Sequence, residues 1–115
     1  YGLVGSEMCI RDRDVLVKDV RDVMILCEAP TCGCHNANYD TIVLNAECFD
    51  LGTVLHEFAH HLQLSMLGYD ELMKRALRDV GKLHCERRNE VEAKAFETAY
   101  YGFYRRRWEK VVGKL

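Results

Sequence analysis

The feature that most constrains the fold is the stretch from Asp50 to Gly68, where Leu51, Val54, Leu55, Phe58, Ala59, Leu62 and Met66 recur at three- and four-residue intervals. That is the period of an α-helix with one face committed to a core. Within it, His56-Glu57-Phe58-Ala59-His60 sets two histidines one helical turn apart, to one side of the apolar stripe. Residues i and i+4 stack on the same face, so both imidazoles point the same way and line a cleft rather than the core. Chance produces this five-residue pattern in roughly one chain in several hundred of this length. The competing explanation is a hydrogen-bonded, half-buried helix face with no further role.

Imidazoles at that spacing can grip one metal ion at about 2.0–2.1 Å, with Glu57 in reach of a water beside it. His56 and His60 are therefore candidate metal ligands, and Glu57 is the candidate general base. Zinc (Zn2+) needs a third protein ligand and keeps its fourth position for water in catalysis. The acidic residues of Asn89-Glu90-Val91-Glu92-Ala93-Lys94-Ala95-Phe96-Glu97 supply candidates, and either Glu90 or Glu92 can face the metal.

His-Glu-x-x-His on one helix with Glu-x-x-Ala on a later one resembles the gluzincin metallopeptidases, in particular the minigluzincins and ImmA/IrrE-type peptidases. The likeness spans roughly residues 23–103. It implies a zinc-dependent peptidase acting on a peptide or protein substrate, with Glu90 as third ligand and Asn89 matching the asparagine that precedes it in thermolysin-like enzymes. Glu92 is the rival ligand. Many gluzincins carry an aspartate four residues after the ligand to orient the first histidine; this chain has Lys94, leaving Glu97 or a backbone carbonyl for that task. A second functional class is a catalytically weak metal-binding domain that recognises a protein partner. A DNA-associated protease of the SprT-like kind would take a histidine as third ligand, and His84 is the candidate. His61, Tyr39, Tyr100 and Tyr101 are candidates for stabilising an oxyanion, with packing or exposure as the simpler account of each.

The expected class is α+β, a small β-hairpin followed by a helical, zincin-like core that holds the motif helix and a third-ligand helix. Segment 14–22 reads as a short amphipathic helix. Residues 23–27 and 41–45 read as neighbouring strands, joined by a long hairpin loop rich in turn formers. The strand 41–45 is a candidate sheet edge for an extended peptide. A second helix is expected from Asp70 to about Val80, stopped at Gly81, and a third from about Cys85 into Arg105-Arg106-Arg107.

The sequence of Glu7 to Arg13 matches one reading frame of a transposon adapter used in preparing sequencing libraries. Residues 1–13 are therefore set apart as adapter read-through, leaving 14–115 as the domain, and on that reading the chain is expected to be a fragment. Of six cysteines, Cys9 falls in that segment, and Cys27, Cys32, Cys34, Cys48 and Cys85 remain. An odd number without paired spacing reads as free thiols in a reducing compartment, hence the cytoplasm. A structural zinc on Cys27, Cys32, Cys34 and His35 is disfavoured, because Cys-x-Cys is not the usual zinc knuckle. With 16 basic and 18 acidic side chains the net charge is −2. Nucleic-acid binding is disfavoured on that balance, and no window is apolar enough to span a membrane. Oligomeric state is not legible.

Overall fold

A computed structural model describes residues 15–112. The segment 1–13, read above as adapter sequence, lies outside the described residues. The order of elements is strand β1 (Val15–Lys18), helix α1 (Val20–Cys27), strands β2 (Gly33–Asn36) and β3 (Thr41–Asn45), then helices α2 (Leu51–Leu67), α3 (Tyr69–Arg78) and α4 (Arg88–Val112), with a 3-10 turn at His84–Glu86 before α4. The α+β class holds. The sheet has the order β1-β3-β2, with β1 parallel and β2 antiparallel to β3.

Three sequence expectations change here. Of segment 14–22 only the end from Val20 is helical; Val15–Lys18 is a strand that pairs with β3 from Val15 against Ile42 to Lys18 against Asn45. Residues 23–27 are not a strand but the body of α1. Asp19 caps that helix by accepting the Asp22 N–H at 3.0 Å, and its backbone carbonyl accepts from Val23 at 3.0 Å. A cap that satisfies the first free N–H groups outweighs the β preference of a short apolar run whose only buried member is Val23. The hairpin is real, but its first strand is β2, so β3 lies in the centre of the sheet and is not an edge. Ile42, Val43 and Leu44 are buried accordingly.

α2 begins where Asp50 accepts the Thr53 N–H at 2.9 Å and ends at Gly68, whose φ of 85° lies in the left-handed region. α3 starts directly after Gly68, with Asp70 in its first turn rather than at the cap, and ends at Arg78. α4 packs mainly on α2. Its fully buried Ala93 lets the two backbones approach. The Asp79 carboxylate accepts the Arg88 N–H at 2.6 Å, satisfying a free donor at the start of α4 and tying that start to the end of α3. Past Phe96, α4 carries an aromatic series, with Phe96 and Tyr100 ring centroids 4.6 Å apart and Trp108 edge-on to Phe49 at 6.1 Å.

The thiol expectation is also corrected. Cys27 pairs with Cys34 and Cys32 with Cys48, leaving Cys85 as the free cysteine among the described residues. The first bridge fastens the end of α1 to β2, and the second fastens the approach to β2 to the segment between β3 and α2. The pairing was not legible because 27, 32, 34 and 48 follow no recognisable spacing and depend on α1 being a helix.

Candidate metal centre

His56 and His60 lie one turn apart on α2, and Glu90 faces them from the first turn of α4. Glu90 Oε1 is 2.9 Å from His56 Nε2, and Oε2 is 3.0 Å from His60 Nε2. One donor atom from each of the three lies within 4.8 Å of the others. The three expected ligands therefore meet, although 34 residues separate His56 from Glu90. Glu92 points elsewhere. Its Oε1 accepts from Arg75 Nη1 at 2.7 Å and from Gln63 Nε2 at 3.0 Å.

Each histidine turns its other ring nitrogen to an outer partner. His60 Nδ1 bonds Gln63 Oε1 at 2.8 Å, and the Gln63 amide in turn donates to the Asn89 carbonyl at 3.0 Å. His56 Nδ1 faces Glu97 Oε1 at 3.4 Å. Glu97 is thus the carboxylate that faces the first histidine, and Lys94 bonds Glu97 Oε2 at 3.1 Å. Nε2 turned inward and Nδ1 held outward is the arrangement that metal-binding imidazoles adopt. The donor set and its outer partners fit a zinc ion.

Glu57 is buried at 7% exposure beside this group. Burial pushes its carboxyl above the ordinary range, against the opposing pull of His60 and His56. Among the described residues its carboxylate makes no ion pair, so its oxygens are free for a water or a substrate. Burial alone would raise Glu90 too, but hydrogen bonds from His56 and His60 hold it far below the usual carboxylate values. In return, the Glu90 hydrogen bond raises His56. His60 is pulled down by burial yet raised on balance by Glu90.

The cleft over these residues has a volume of about 460 Å³ and is bounded by Gly33 and Cys34 of β2, Thr53 and Glu57 of α2, and His84. A side chain at Gly33 would put its Cβ 2.6 Å from Thr53 Cγ2 and 3.4 Å from Glu57 Cγ, so β2 approaches the motif helix as closely as only glycine permits. His84 is exposed and sits 3.1 Å from Glu90 Oε1. Of the four candidates for oxyanion stabilisation, none lines this cleft. Tyr39 is exposed, Tyr100 stacks on Phe96, Tyr101 lies on the exposed part of α4, and His61 bonds Asp40.

Gln63 and Arg75 escaped the sequence reading. Gln63 lies three residues after His60, a spacing that could have flagged it, whereas Arg75 reaches the site from another helix and carries no local signal. Comparison with models of known families, with curated proteins and with solved structures finds no match for the chain.

Proposed function

We propose that the chain is a zinc-dependent peptide hydrolase of the gluzincin kind. The observation that carries this reading is the Glu90 carboxylate held between His56 Nε2 and His60 Nε2 at 2.9 and 3.0 Å. His56, His60 and Glu90 would hold the ion, which when bound supplies Lewis acidity and lowers the pKa of water toward about 7. Glu57 accepts the proton of the attacking water and returns it to the leaving amine. A carboxyl raised by burial suits both halves of that task near neutral pH. Gln63 and Glu97 keep the two rings oriented.

The substrate is an extended peptide. β2 is an edge of the sheet and borders the cleft, so its free backbone groups can pair with a peptide laid across Glu57. Two disulfides favour an oxidising compartment over the cytoplasm. No helix among the described residues is long and apolar enough to cross a membrane. Glu57→Gln keeps the shape and removes the base, so it retains metal at the His–Glu site and loses turnover of an unfolded protein substrate by about 10²–10⁴-fold. Unchanged turnover in Glu57→Gln would refute the mechanism. A zinc-loaded parent that cleaves nothing across a broad peptide library would favour the catalytically weak binding domain.

A further inference from the structure

A second group of metal-type donors lies beside the first. At the end of the loop 37–40, Asp40 Oδ1 is 2.8 Å from His35 Nε2 and 2.8 Å from His61 Nδ1, while Oδ2 is 3.0 Å from His61 Nδ1. One donor atom from each of the three residues lies within 4.8 Å of the others. Three separate elements supply them, His35 from β2, Asp40 from the hairpin turn and His61 from α2. The His35 side chain is 3% exposed, against 33% for His61 and 37% for Asp40. The group is closed toward the protein and open toward solvent, which leaves coordination positions for water.

Asp40 is held in place by its turn. Its φ is 49°, in the left-handed region that aspartate tolerates better than most residues. The loop is pinned by Asn36 Oδ1, which accepts the Asn38 N–H at 2.9 Å, and by Thr41 Oγ1, which donates to the Tyr39 carbonyl at 3.2 Å. Two ligands of a tetrahedral zinc at about 2.0 Å are separated by roughly 3.3 Å, so a small outward shift of the half-exposed His61 and Asp40 would admit an ion. Two imidazoles and one carboxylate suit zinc and its first-row neighbours, whereas calcium and magnesium prefer oxygen alone.

We propose that His35, Asp40 and His61 form a second site for a divalent first-row transition ion, independent of the one formed by His56, His60 and Glu90. The stacked rings of His35 and His60, with centroids 6.3 Å apart, put the two sites in contact. An ion there clamps the hairpin to α2 and stiffens the β2 wall of the cleft.

The test is a count of zinc on the full chain, stripped with chelator, reloaded, freed of excess metal and measured by mass spectrometry. The parent holds two equivalents; Asp40→Ala holds one, Glu90→Gln holds one, and the double variant holds none. His61→Gln replaces Asp40→Ala should the latter lose its native circular dichroism. Cobalt gives an independent reading, because the visible absorption of one of two equivalents disappears in Asp40→Ala. Two equivalents retained in both Asp40→Ala and His61→Gln overturn the second site, as does a single parental equivalent that vanishes in Glu90→Gln, or no bound zinc at all. A single equivalent that survives Glu90→Gln and is lost in Asp40→Ala upholds the second site and removes the metal reading of the first.

Discussion

Between Glu90 and Glu92, tertiary contact decides what local sequence left open. Both carboxylates sit near the start of α4, and two residues turn a helix by about 200°, so they cannot share a face. Arg75 from α3 captures Glu92, and the histidines capture Glu90. Glu90→Gln should therefore weaken metal binding by on the order of 10²-fold or more, while Glu92→Gln leaves it within a few-fold; competition with a calibrated chelator measures both. Glu97→Gln is expected to weaken binding by about 10–100-fold, the usual effect of losing an outer partner. Gly52→Ala should act in the same direction, since the new Cβ would lie 2.9 Å from Glu97 Oε2 and push that carboxylate off His56. Metal uptake must displace protons from His56 and His60, both raised above the ordinary imidazole value in the metal-free chain. Protonation opposes binding, so affinity falls as pH drops through that raised range, and uptake near neutrality releases protons that calorimetry in buffers of different ionisation enthalpy will detect. The residues of the motif were legible because one helix carries His56, Glu57 and His60. The outer partners were less so, because Glu97 comes from α4 and Gln63, although on α2, is held in place by Asn89 and Glu92 of α4.

Among the elements, helices with a sustained 3.6-residue period were readable and short apolar runs were not. α2 carries a repeating stripe and a cap at Asp50, and it spans Leu51–Leu67 as the pattern requires. Residues 23–27 hold too few positions to show a period, and only the cap at Asp19 betrays the helix. That misreading hid the sheet order, because β2 becomes the hairpin partner once α1 is a helix. The disulfides follow from the same geometry, with Cα separations of 5.9 Å for Cys27–Cys34 and 5.4 Å for Cys32–Cys48. The latter closes the longer loop, with a sequence separation of 16 against 7. Cys48→Ser combined with Cys32→Ser is expected to lower stability by about 2–4 kcal/mol, checked by urea denaturation, and reductant should lower the midpoint of the parent but not that of a variant lacking both bridges.

Over the whole molecule, α4 acts as a spine with two halves of different character. Its N-terminal half brings Glu90 and Glu97 to α2, and its C-terminal half lines an apolar groove with Leu51, Phe58, Tyr100 and Trp108. The metal centre joins α2 to α4, so an ion that binds the folded chain alone should stabilise it by about 4 kcal/mol at a thousand times its dissociation constant. Chelation is accordingly expected to lower the thermal midpoint, and Glu90→Gln should abolish that part of the response. Trp108 is the only tryptophan of the chain, and about 27 Å of helix separates it from Glu90. Its contact with Phe49 therefore gives the far end of α4 a built-in optical reporter. Emission that holds steady while metal is withdrawn would show the helix tail docking on its own account; emission that changes in step would show a single rigid lever, in which whatever occupies the apolar groove is sensed at the metal centre.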